Sequence, residues 1–215
     1  MRIVTCVLVT LAVGAVSAQQ DVFAQQDMVK THIGHVTTAF NGTPNGQGLL
    51  PTAMAEAKIA AQHAALALKS EGNLDGMKLH AGHVIHAIDP TVEMKAPGLN
   101  YGAKRAAQGV AQHIDLAAKA PGASKNVMTH SMHVATSAGN VVKWSDEILA
   151  AARDVRSATD AKVAAGHVAH LNTLAQQLAS GVDADKNGQI GWQAGEGGLQ
   201  QADMHMNLLL KGEGQ

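Results

Sequence analysis

From residue 27 onward, apolar residues recur at three- and four-residue spacing in stretches closed by Gly, Pro or Asn, and nothing alternates with the period of a strand. The pattern predicts seven helices. Asp27 caps a first helix running to about Phe40, which the breaker Asn41-Gly42-Thr43-Pro44-Asn45-Gly46 ends. A second helix starts near Pro51 or Thr52 and reaches Lys69, with Ala53, Ala57, Ala61 and Ala65 forming a smooth stripe. The third starts near Leu74 and stops at Asp89-Pro90, because the residue before a proline is driven out of the helical region. The fourth spans about Tyr101 to Ala120. Ser124 caps a long fifth helix to about Arg156, with Gly139 as a candidate kink. Thr159 or Asp160 starts the sixth, Gly181 ends it, and a final helix runs from about Gln193 to Leu210. The fold class is therefore all-α, with connections of the length that joins antiparallel neighbours in a bundle.

The chain also repeats itself. Gly48–Lys69 laid over Gly98–Lys119 without a gap pairs Gly48/Gly98, Leu49/Leu99, Ala53/Ala103, Ala57/Ala107, Ala61/Ala111, Gln62/Gln112, His63/His113, Leu66/Leu116, Ala67/Ala117 and Lys69/Lys119. The preceding helices repeat the phrase H-x-x-H-V, as His32-Ile33-Gly34-His35-Val36 and His80-Ala81-Gly82-His83-Val84. A third copy carries His130-Ser131-Met132-His133-Val134, followed on the sixth helix by His167 and His170. The antiparallel bundle is thus built from about three helical hairpins. They present His32, His35 and His63; His80, His83, His86 and His113; and His130, His133, His167 and His170. Only His205, in Met204-His205-Met206, lies outside the scheme.

Composition narrows the function. With 46% hydrophobic residues, 15% charged, 2% aromatic and a net charge of -1, the chain has a core to bury but no basic footprint for nucleic acid. Arg2 followed by an apolar run from Ile3 to Val16 reads as a signal peptide, residues 1–18 with an alternative end at 24. The run is too short to span a membrane, so export to the periplasm or beyond is expected, with no membrane span after the signal is removed. The one cysteine, Cys6, lies within that segment, leaving a mature protein with no disulfide, thiolate ligand or covalent haem attachment. The bundle occupies 27–181 and a C-terminal unit 182–215.

Histidines three apart on a helix are neighbours, and a pair of them can share one ligand. Repeated with a further histidine on the next helix, such pairs suit copper, zinc or nickel ions. Met28, Met77, Met128, Met132, Met204 and Met206 lie close to histidines in sequence, and Met204, His205 and Met206 form a weaker candidate site. The same histidines offer an alternative, bis-His ligation of a b-type haem in an electron carrier. A third alternative is a non-catalytic scaffold or partner-binding protein whose histidines form a pH-responsive layer. No Glu-x-x-His, H-E-x-x-H, G-x-S-x-G or phosphate-binding glycine loop occurs, so a binding protein is expected rather than an enzyme.

Near the C-terminus, Asp183-Ala184-Asp185-Lys186-Asn187-Gly188-Gln189-Ile190 resembles the opening of an EF-hand calcium loop. The resemblance implies calcium ligands from Asp183, Asp185 and Asn187, a backbone carbonyl from Gln189, and a turn at Gly188. At the twelfth position, where the family has Glu, stands Ala194; Glu196 replaces it only in a longer loop. The sequence reading is an exported metal-binding protein for sequestration, delivery or buffering, braced by a weak calcium site. Its partners are metal ions and another exported protein for metal or electron transfer.

Overall fold

A computed structural model describes residues 28–214, and the expected signal peptide and Cys6 lie outside that range. Seven α-helices, a short 3-10 turn (Pro44–Gly46) and no strand occur among the described residues: α1 (28–37), α2 (Leu49–Lys69), α3 (Leu74–Ile88), α4 (Ala103–Lys119), α5 (Lys125–Ser157), α6 (Ala161–Ser180) and α7 (Leu199–Gly212). The all-α bundle expected from periodicity is what forms.

Local chemistry sets most boundaries. The Asn73 side chain accepts a hydrogen bond from the Gly76 N–H at the start of α3. Ser124 does the same for Val127 at α5, and Asp160 for Lys162 and Val163 at α6. Helix α2 begins two residues before Pro51, since a first-turn residue needs no N–H for the helix ladder. Gly139 does not kink α5, which runs unbroken for 33 residues; a side chain there would meet nothing within 4 Å. Helix α7 starts at Leu199 rather than near Gln193, because Gly195 takes φ +87° and the segment before α7 stays irregular.

Helix α5 is the spine, touching α3, α4, α6 and α7, while α2 packs on α3, α4 and α6. The core is made largely of Ala, Val, Leu and Ile. In α2 the buried alanines are Ala53, Ala57, Ala60, Ala64 and Ala67, all nearly inaccessible, whereas Ala61 and Ala65 are only half-buried. A strict four-residue repeat drifts around a helix of 3.6 residues per turn, and alternating steps of four and three hold one face.

One buried carboxylate positions the next repeat. Glu56 on α2, fully buried, accepts hydrogen bonds from the backbone N–H groups of Leu99 (3.2 Å), Tyr101 (3.0 Å) and Gly102 (2.9 Å). It thereby caps the start of α4 from a different helix and explains why α4 begins later than its α2 counterpart.

Candidate metal centres

Three sets of three imidazoles converge. His32 and His35 on α1 meet His113 on α4; His80 and His83 on α3 meet His63 on α2; His130 and His133 on α5 meet His205 on α7. In each set the Nδ1 of the single histidine lies near the Nδ1 of both members of the pair: 3.1 and 3.3 Å in the first, 3.2 and 3.3 Å in the second, 3.2 and 3.3 Å in the third.

The same helical register produces all three. The residues three before, one after and four after the first histidine of each pair are buried: Val29, Ile33 and Val36; Met77, Ala81 and Val84; Val127, Ser131 and Val134. The single histidines follow the identical rule with Ala60, Ala64 and Ala67; Val110, Ile114 and Ala117; Ala202, Met206 and Leu209. Each histidine therefore stands at the flank of a buried stripe, with eight of the nine half-open to water and His205 buried.

Three Nδ1 atoms so close are a poor hydrogen-bond arrangement. A neutral imidazole carries one N–H, so the central nitrogen cannot serve both neighbours as donor and acceptor through a single lone pair. A cation at the common point accepts all three lone pairs. Metal–nitrogen bonds of about 2.0–2.1 Å at tetrahedral angles put ligand nitrogens about 3.3–3.4 Å apart, close to the spacing here, and leave a fourth position open. The three histidine triads can hold a metal ion.

Electrostatics favours the ligand-ready form. Burial, then neighbouring imidazoles, lowers His32 (beside His35), His63 (beside His83 and His80), His113 (beside His35 and His32) and His133 (beside His130). For His83, burial and His80 lower the pKa, His86 adds to this, and Glu93 pulls the other way. His205, the most enclosed of the nine, is pushed down to about 4 by burial first and by His133 and His130. The shifts disfavour the protonated imidazolium, the form that has no lone pair to give a metal.

The surroundings differ. At the first triad Phe40 packs edge-on against His35 and His113, at 5.4 and 5.1 Å between ring centroids. At the third, the Trp192 indole stacks on His133. The single histidines are each followed three residues later by a half-exposed leucine, Leu66, Leu116 and Leu208, which gives every triad an apolar shoulder.

The pairing of histidines is not the one the hairpins suggest. His63 joins the pair of the following helix rather than the pair of its own hairpin, and His113 returns to α1. His205, outside the repeat scheme, is the third imidazole of the last triad, where His167 stood in the sequence reading. The shared signal was His-x-x-Leu, present at His63, His113 and His205 and absent at His167, which has His170 three residues on.

His86, His167 and His170 lie apart from the triads. His86 is buried, its Nδ1 donating to the Glu93 carbonyl at 2.5 Å, while its Nε2 has no partner. His167 and His170 sit half-buried and exposed on α6. Among the methionines, Met206 and Met77 are core residues, and Met128 and Met132 line a surface cavity with Asp115 on the far side of α5. Met204 is exposed.

In the C-terminal loop, carboxylate oxygens of Asp183, Asp185 and Glu196 lie within 4.8 Å of one another. Glu196 is buried and accepts from the Gly191 N–H at 3.1 Å. Asp183 accepts from the N–H groups of Asn187 and Gly188 at 3.1 and 2.9 Å. The Asn187 side-chain oxygen accepts from the Gln189 N–H at 2.8 Å. The loop thus closes two residues beyond the EF-hand length, with Glu196 turned inward. Asn140 of α5 fastens it, donating to the carbonyls of Gln193 and Gly197 and accepting from the Gly195 N–H.

Comparison with protein-family models, with curated proteins and with solved structures gives no match to the chain.

Proposed function

We propose that this is an exported metal-binding protein that holds three transition-metal ions, one per histidine triad, for sequestration, buffering or delivery. The observation that carries it is the threefold recurrence of one geometry, with Nδ1 atoms 3.1–3.3 Å apart, on three different helix pairs. All-imidazole sets without carboxylates suit zinc, copper and nickel and are poor for magnesium or calcium. The all-imidazole sets favour zinc or cupric copper over cuprous copper, for which Met77 and Met206 would have to leave the core to serve as thioether ligands.

The triads support ions over haem. A bis-His haem needs two imidazoles facing each other across a flat macrocycle. Here the rings touch one another, with centroids 4.4–5.9 Å apart. The open fourth vertex would let a partner protein or small ligand exchange with bound ion, which suits buffering and delivery. The Asp183, Asp185 and Glu196 carboxylates would take one calcium ion as a brace between α6 and α7. The Glu93 carboxylate, the acidic group felt by His83, is engaged by the Arg156 guanidinium, and the reading is of a binding protein rather than an enzyme.

Titration of apo protein with zinc and with cupric ion, followed by native mass spectrometry, tests this. Three ions per chain are expected, and His63→Ala, His113→Ala and His205→Ala should each remove one. Wild type that takes up no ion at micromolar concentration would end the proposal, and a visible Soret band on purification would move it to haem.

A further inference from the structure

We propose that His167 and His170 on α6 are half of a fourth ion site, completed when a second copy of this chain presents the same pair across a two-fold axis. The register is that of the three ligand pairs: the residues three before, one after and four after His167 are Ala164, Val168 and Leu171, all buried. His167 and His170 therefore flank a buried stripe as His32 and His35, His80 and His83, and His130 and His133 do.

What differs is the third ligand. All twelve histidines of the chain are accounted for: nine stand in triads, His86 is enclosed in the core, and two remain on α6. No carboxylate or histidine among the described residues joins that pair within ligand distance. A third imidazole must come from another molecule. Two copies related by a two-fold axis bring two pairs together, giving four nitrogens for one ion, the full tetrahedral set for zinc. Val163, one turn before His167 and on the same side of α6, is 55% exposed and supplies an apolar contact at that interface.

The proposal borrows from the reading of the triads only the kind of ion. Zinc alone is the probe, titrated past saturation of the triads, with mass followed by sedimentation velocity and stoichiometry by native mass spectrometry. Wild type should remain monomeric to three ions per chain, then dimerise with one further ion per two chains. The double variant His167→Ala/His170→Ala should bind three ions and lose the dimer. Wild type monomeric at every zinc ratio, or a dimer equally formed by the double variant, would overturn it. Zinc-driven dimers lost in the double variant, with no ion held in the triads, would support this site while refuting the function proposed above.

Discussion

The indole of Trp192 lies 3.9 Å from the imidazole of His133, nearly parallel at 18°. Trp192 belongs to the acidic C-terminal loop and His133 to the third triad, so the loop covers one wall of that triad. This makes Trp192 a built-in reporter. Cupric ion entering the third triad should quench its fluorescence strongly, and His205→Ala should abolish that phase while leaving two ions bound. Trp192→Ala should weaken the third site about tenfold, as loss of an outer-shell group does, and leave the others unchanged in the same titration.

Calcium binding in the loop should be linked to that site through the same contact. Adding calcium to apo protein is expected to perturb Trp192 emission and raise the melting temperature, and Glu196→Gln should remove both effects. Scanning fluorimetry in calcium and in chelator checks this, and equal curves would show that the loop needs no ion.

The assignment of ligands to triads can be separated from the hairpin assignment by one substitution. His63→Ala should remove the ion shared with His80 and His83 and spare the His32, His35 and His113 site. Cobalt substitution with nuclear magnetic resonance of the paramagnetically shifted imidazole protons distinguishes them.

Acid should weaken the apo fold. The six shifted imidazoles have folded-state pKa values below the ordinary 6.5, so between about 6.5 and 4 the unfolded chain binds more protons than the folded one. Stability is full above that window and declines as pH falls through it. Apo protein should melt at a lower temperature at pH 5 than at pH 7.5, and bound ions should be released over the same range. A melting temperature independent of pH there would contradict the burial of these rings.

Glu56 should matter for stability rather than for ion affinity. Replacing it with Ala strands three backbone N–H groups near the start of α4, at a cost of about 2–4 kcal/mol in urea denaturation. Gly98→Ala should also destabilise, since a Cβ there would come within 2.6 Å of the His86 ring.

The sequence by itself determined how many helices form, the caps of α3, α5 and α6, and the three-residue spacing between paired imidazoles, because periodicity, Asn73, Ser124 and Asp160 act within one turn of the chain. It also held the register that puts every ligand at the flank of a buried stripe. Only the tertiary structure decided which single histidine joins which pair. That depends on which helices lie side by side, a choice made by distant packing such as α5 against α7 and α1 against α4. Hence His205 took the place expected for His167, and His86, spaced like a ligand, was drawn into the core. Glu56 was likewise just one carboxylate in an alanine-rich helix until the fold brought the start of α4 to it.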